Sequence, residues 1–328
     1  MRLVTIPGTS TATTAIGFGC SQLMARVRLR ESVRVLETAY DAGITHFDVA
    51  RSYGYGAAES AVGAFAAGHR DRVTITTKFG IAPPARSPVL DAAKLVARGL
   101  VALHPGLRTR LRARAARMVT GGYFAPEDAR RSLETSLRAL RTDYVDLLLL
   151  HDCSPDDVRS PGLLDFLDAC VARGQVRAFG VATSREAARD VVAHTPAFAR
   201  VVQVPDDPLR GGGPVRTADA SPALEITHSV LGRTFRVVTE RLRRAPADRA
   251  AWSRALGADC GDPSVIGRLL LRAALARNPT GVVLFSSLRE PNIQANAALG
   301  TPDAADDARA ARLLALASSV GAPGESAA

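Results

Sequence analysis

The stretch PEDARRSLETSLRALRTDYVDLLLLH, residues 126–151, holds one complete helix-to-strand unit. Pro126 suits a first helical turn, where the amide it lacks has no partner to lose, and Glu127 and Asp128 follow it. Leu133, Leu137 and Leu140 recur at spacings of four and three, the period of a helix with one buried face. Tyr144–Leu150 is a short apolar run of strand length that stops at His151. It falls far short of the roughly 20 apolar residues that a bilayer crossing requires.

The same alternation runs through most of the chain. Strands are expected near Ile16–Gly19, Ile44–Asp48, Val73–Thr77, Tyr144–Leu150, Val176–Val181, Val201–Val204, Leu224–Thr227 and Val282–Phe285. Between them lie helical patterns such as Val33, Leu36, Ala39 and Tyr40. Strands alternating with helices indicate a parallel sheet built by right-handed crossovers. Because no Gly-x-Gly-x-x-Gly follows the first strand, the pattern predicts an α/β fold of the closed (β/α)8 TIM barrel kind rather than a doubly wound sheet.

Two breaks and a tail complete the organisation. Residues 81–122, with Pro83, Pro84, Pro88 and Pro105, are too long for an ordinary βα connection and read as an insertion at the catalytic face. Residues 206–222, with successive glycines from Gly211, read as a mobile loop of that face. The expected division is a single barrel domain over residues 1–303, then a C-terminal helix and flexible tail over 304–328.

With 328 residues, 47% hydrophobic and 23% charged, the composition is that of a globular protein able to bury a large core. The N-terminus lacks the basic flank and apolar run of a secretory signal. Cys20, Cys153, Cys170 and Cys260 are scattered, without metal-ligand spacing. These features predict a cytoplasmic protein with no structural metal, and Cys153, near His151, is given no role. The net charge of +10 is local. Residues 86–117 carry eight Lys/Arg against one Asp, a surplus of seven that leaves three for the rest. No aromatic residues interleave these charges to stack on bases, which argues against nucleic-acid binding and for a solvated helix or a lid.

In a barrel of this kind chemistry gathers where strands end. Asp48 closes the second run, Tyr53 follows in the next loop, Lys78 closes the third run and His151 the fourth. Singly each residue has an ordinary structural explanation; together, at neighbouring strand ends, they form a proton-transfer set. Of 42 basic residues only Lys78 and Lys94 are lysine, so a lysine at a strand end is informative. An ammonium beside a phenol favours the phenolate and is expected to bring Tyr53 down towards neutrality. Asp48 would supply its counter-ion, and neutral His151 a hydrogen bond to a carbonyl oxygen.

These residues resemble the aldo-keto reductase superfamily. Gly43 to Gly54, containing Asp48-Val49-Ala50-Arg51-Ser52-Tyr53-Gly54 and followed by Glu59 and Gly63, is similar to the family's D-x-A-x-x-Y-G block. Thr76-Thr77-Lys78 resembles the lysine block, and Ser136 through His151 the histidine block. The resemblance implies NAD(P)H-dependent reduction of an aldehyde or ketone, with Tyr53 as general acid, Lys78 and Asp48 tuning it and His151 orienting the carbonyl. The same residues would serve the reverse oxidation of a sugar or other alcohol with NAD. Related barrels also act as non-catalytic, cofactor-sensing subunits.

The resemblance further implies a cofactor extended across the barrel mouth, its carboxamide held by a Ser-Asn pair and a Gln. Gln203 matches the Gln, but Ala182-Thr183 stands in place of Ser-Asn, and Thr183 takes the Asn position. His228 takes the place of a stacking tyrosine. The phosphate-reading segment corresponds to Ser286, Ser287, Arg289, Asn292 and Asn296. Ser286 and Asn292 stand where several NADP-preferring members carry Lys and Arg, while Arg289 suits a 2′-phosphate. The expectation is NADP, with NAD as the alternative, a small-molecule carbonyl substrate, no membrane contact, and a monomer or weak oligomer.

Overall fold

The computed structural model describes residues 1–83, 122–209, 214–216 and 222–319. A short antiparallel hairpin comes first, β1 (Leu3–Thr5) and β2 (Ala12–Thr14). The next eight strands are β3 (Ile16–Gly19), β4 (His46–Asp48), β5 (Thr74–Phe79), β6 (Val145–His151), β7 (Val176–Ala182), β8 (Val201–Pro205), β9 (Leu224–His228) and β10 (Val282–Phe285). All pair in parallel, each with the next, and β10 closes onto β3. This is the expected (β/α)8 barrel. The strand ends differ slightly from the sequence reading: β5 runs on to Phe79, so Lys78 lies within it, and β6 includes His151.

Helices α1 (Leu29–Asp41), α2 (Ala58–Ala66), α3 (Pro126–Leu140), α4 (Leu163–Ala172) and α5 (Arg185–His194) follow β3 to β7 in turn. Three helices, α6 (Arg233–Arg244), α7 (Pro246–Leu256) and α8 (Pro263–Arg277), separate β9 from β10. Two more, α9 (Glu290–Ala298) and α10 (Ala304–Ser319), follow β10. Pro126 begins α3, as its chemistry predicts. Among the described residues no helix is long and apolar enough to cross a membrane.

Strand alternation divides the core in two. Phe18, Phe47, Ile75, Leu148, Leu150, Val181, Val202 and Val283 point outward and pack with the helices. Leu147, Leu149, Ala178, Val201, Leu224, Ile226, Val282 and Leu284 point inward and fill the barrel. Val4, Ile6 and Ala15 join that inner cluster, so the N-terminal hairpin plugs the bottom and leaves the other end as the mouth. Asp146, the one acid in the apolar run of β6, is ion-paired on the outer face. It pairs with Arg70 at 3.0 Å and Arg177 at 3.3 Å and accepts the Ile75 amide at 2.9 Å.

The long insertion leaves and returns at one point. The amides of Gly122 and Tyr123 donate to the Gly80 carbonyl at 3.1 and 3.3 Å. The basic segment between, residues 84–121, lies outside the described residues, as do 210–213, 217–221 and the tail 320–328. Gly80 has φ +107°, and an added Cβ would strike the Phe124 ring. Gly80→Ala is therefore expected to destabilise the fold by about 1–3 kcal/mol, read as a lower urea midpoint; an unchanged midpoint would show that this junction is slack.

Candidate active site

The inward row at the top of the strands carries Asp48 on β4, Lys78 on β5, His151 on β6, Gln203 on β8 and His228 on β9. Alternation places them there: His151 lies an even number of residues beyond inward Leu147 and Leu149, Gln203 beyond Val201 and His228 beyond Leu224 and Ile226. Tyr53 arrives by a different route. Its amide donates to the Ala50 carbonyl at 3.0 Å, and the chain then turns through Gly54 and Tyr55, both left-handed, with φ +58° and +57°. Gly54 is required twice, by its φ and because a Cβ would lie 2.6 Å from the Leu23 carbonyl oxygen.

Lys78 is buried and donates to Asp48 Oδ1 at 2.7 Å and to the Val49 carbonyl at 3.1 Å. Gln203, also buried, donates from Nε2 to Asp48 Oδ2 at 2.7 Å. Both oxygens of the buried carboxylate are thus engaged, as a charge withdrawn from water requires. The ammonium lies 5.1 Å from the Tyr53 ring centroid, and the His151 ring meets Tyr53 edge-on with centroids 5.9 Å apart. Behind the barrel wall, Thr77 donates to the buried Glu59 of α2 at 2.6 Å, fixing β5 against the helix that follows Tyr53.

Burial dominates the proton affinities. It raises the Tyr53 phenol above its ordinary value; Lys78 opposes the rise, but the net shift stays upward. This corrects the expectation that the lysine brings the phenol towards neutrality: desolvation of a phenolate outweighs one neighbouring cation that is already shared with Asp48. Burial also pulls Lys78 down, yet the attraction of Asp48 and Tyr53 wins and holds it above the usual lysine value. Burial, reinforced by Lys78, pushes His151 down to about 3, so its imidazole is neutral at physiological pH. His228 falls to about 4 for the same leading reason. Burial pushes the Cys153 thiol up to about 12, which fits its having no assigned role.

A cavity of about 350 Å³ opens above this row. Asp48, Tyr53, His151, Gln203, His228 and Ser286 line it. Other expected residues do not. Thr183, one position past inward Ala182, turns away and donates its hydroxyl to the Cys153 carbonyl at 2.6 Å. Ser287 and Arg289 form the turn into α9, the Arg289 amide donating to the Ser287 hydroxyl at 3.1 Å, and Asn292 and Asn296 lie on α9 itself. Sequence reasoning missed Gln22, whose amide donates to Ser286 at 3.2 Å across the rim, and Asp152, which lines the same cavity. No pattern signalled Asp152, because strand alternation directs the residue after His151 outward.

Beneath Asp48 the same inward row holds His46, fully buried between the Thr13 and Thr76 hydroxyls at 3.4 and 3.2 Å. Burial lowers it to about 4. Below about pH 6.5 the unfolded chain binds a proton at this histidine that the folded chain refuses until about pH 4, so stability falls as pH drops through that window. The contribution is about 1.4 kcal/mol per pH unit. Denaturation midpoints from pH 7 to 5 should fall less steeply in His46→Gln than in the parent; parallel slopes would refute a buried neutral imidazole.

The Aldo/keto reductase family model matches residues 15–210. A 6-dehydroglucose reductase from Agrobacterium fabrum is 34% identical over 154 residues, covering 46% of this chain and 42% of its own. A D-threo-aldose 1-dehydrogenase from a Pseudomonas species is 30% identical over 187 residues, covering 51% and 49%. The chain thus spans about half the length of the curated relatives it matches. Among solved structures, an aldo/keto reductase from Klebsiella pneumoniae in complex with NADP and acetate superposes with a TM-score of 0.63 at 20% identity, covering 95% of each chain. With the family match running over more than half the sequence and the barrel closed around Asp48, Tyr53, Lys78 and His151, this chain belongs to the aldo/keto reductase family.

Proposed function

We infer that this chain reduces an aldehyde or ketone to an alcohol with NAD(P)H, the proton coming from Tyr53. The observation that carries this reading is a phenol set between the His151 imidazole and a buried Lys78–Asp48 pair at the edge of one cavity. The family match supports it, as does the Agrobacterium relative, named as a reductase.

The cavity suits a nicotinamide. Its size falls within the range of ligand pockets, and it extends from Tyr53 past His228 and the turn Ser229–Gly232 to Ser286. Ala182 has no side-chain donor and Thr183 is committed elsewhere, so the carboxamide would rest on Gln203, whose Oε1 and second N–H have no partner among the described residues, with His228 beside the ring. Ser286, Ser287, Arg289, Asn292 and Asn296 would hold the far end. The exposed Arg289 guanidinium has no ion-pair partner among the described residues, which favours the 2′-phosphate of NADP over NAD.

When bound, the reduced nicotinamide supplies the hydride that goes to the carbonyl carbon. Neutral His151 donates a hydrogen bond that fixes the carbonyl oxygen and stabilises its growing charge. The Tyr53 hydroxyl then delivers its proton to that oxygen, and the phenolate left behind is stabilised by the Lys78 ammonium. Asp48 keeps the lysine charged and in place, with Gln203 holding the second carboxylate oxygen.

The reverse oxidation is the second reading, favoured by the Pseudomonas relative's name as a dehydrogenase. A phenol raised by burial starts as an acid rather than a base near neutrality, which favours reduction there. Reduction should therefore hold its rate through the neutral and mildly alkaline range, while oxidation climbs with pH as the phenolate forms.

Tyr53→Phe should bind NADPH as the parent does, by nucleotide fluorescence, yet lose on the order of 10²–10⁴ in turnover. Arg289→Ala should weaken NADPH at least several-fold and leave NADH unchanged. Absence of binding by either nucleotide to the parent protein would overturn the reading.

A further inference from the structure

Asp152 follows the expected catalytic histidine, yet neither the proton-transfer set nor the cofactor contacts use it. Continued strand alternation would direct it outward, away from the barrel axis. Instead its backbone turns left-handed, with φ +52°, its amide donates to the Ala182 carbonyl at 2.7 Å, and its side chain lines the mouth beside Tyr53 and His151. Among the described residues its carboxylate has no hydrogen-bond or ion-pair partner. It lines the same cavity as Tyr53 and His151, so a substrate whose carbonyl sits at Tyr53 occupies the space that Asp152 borders.

The rest of the lining completes the picture. Ser21, Gln22, Ser229 and Ser286 give the rim a hydrogen-bonding character, both histidines are neutral, and among the described residues no lysine or arginine lines the cavity. Among the described residues the lining thus carries the Asp152 carboxylate without a paired cation, since the Lys78 charge behind it is matched by Asp48; such a lining disfavours an anionic carbonyl compound and accepts hydrogen bonds from hydroxyl groups. We propose that Asp152 is a specificity-determining residue that accepts a hydrogen bond from a substrate hydroxyl one or two carbons from the carbonyl, so that the enzyme prefers uncharged, hydroxylated carbonyl compounds and disfavours carboxylated ones. This rests on the reductase reading above.

A purely structural role has a clear alternative prediction, because aspartate and asparagine are the non-glycine residues that best tolerate a left-handed backbone. Asp152→Asn preserves that tolerance while removing the charge and exchanging one accepting oxygen for an NH2 donor. The test compares kcat/KM on glyceraldehyde, propanal and succinic semialdehyde for the parent and for Asp152→Asn, with Asp152→Gly as a second variant that relaxes the turn and deletes the side chain. The parent should prefer glyceraldehyde over propanal by about tenfold or more and use succinic semialdehyde least, since a site built around a substrate hydroxyl discriminates against analogues that lack it. In both variants the glyceraldehyde-to-propanal ratio should fall by about fivefold to tenfold, and relative use of succinic semialdehyde should rise. Ratios unchanged in both variants would reduce Asp152 to a turn residue and overturn the proposal alone. A parent protein that binds nucleotide but turns over none of the three aldehydes would overturn the reductase reading and this proposal with it.

Discussion

The buried ion pair between Lys78 and Asp48, 2.7 Å long and nearly sealed from water, is the constraint around which the mouth of the barrel is arranged. An isolated ammonium at that depth would lose its charge, and an isolated carboxylate would keep its proton. Paired, with the Val49 carbonyl accepting from the ammonium and the Gln203 amide donating to the second carboxylate oxygen, they tolerate that depth. Three adjoining features depend on that. The phenol of Tyr53 has a cation beside it, the imidazole of His151 has a further reason to stay neutral, and Gln203 is tied to the acid as well as exposed to the cavity.

Strand alternation turns this local chemistry into a consequence of the fold. Thr76 and Lys78 face the barrel axis while Thr77 faces α2 and Glu59, so three successive residues serve the interior hydrogen-bond network, the helix layer and the site. The bottom is closed by the β1–β2 hairpin, which leaves the strand C-termini as the open end. Tyr53 is the exception, since a turn with two left-handed residues brings it in, and the small size of Gly54 permits that turn.

The eight barrel strands and the Asp48, Tyr53, Lys78 and His151 set were legible because they rest on local pattern: apolar runs of strand length, and polar residues at their ends. The hairpin was not, because three-residue strands such as Leu3–Thr5 carry too few side chains to show a period. The direction of Thr183 was not, because its hydroxyl is claimed by a carbonyl on the neighbouring β6 side, a contact that no spacing records. The balance at Tyr53 depends on how deeply the phenol is buried, and chain order is silent on depth. Asp152 escaped for a related reason: a strand reading puts it outside, and only the left-handed turn brings it to the mouth.

The Lys78 charge, held by Asp48, opposes the effect of burial on the Tyr53 phenol without overcoming it. The direct measurement is the titration of the Tyr53 phenol by 13C NMR with ring-labelled tyrosine, its signal identified among the five tyrosines by its loss in Tyr53→Phe, in the parent and in Lys78→Met. The account predicts that removing the ammonium moves the Tyr53 transition to still higher pH, because burial and the negative charge of Asp48 then act unopposed. A transition at the same pH, or a lower one, would contradict it.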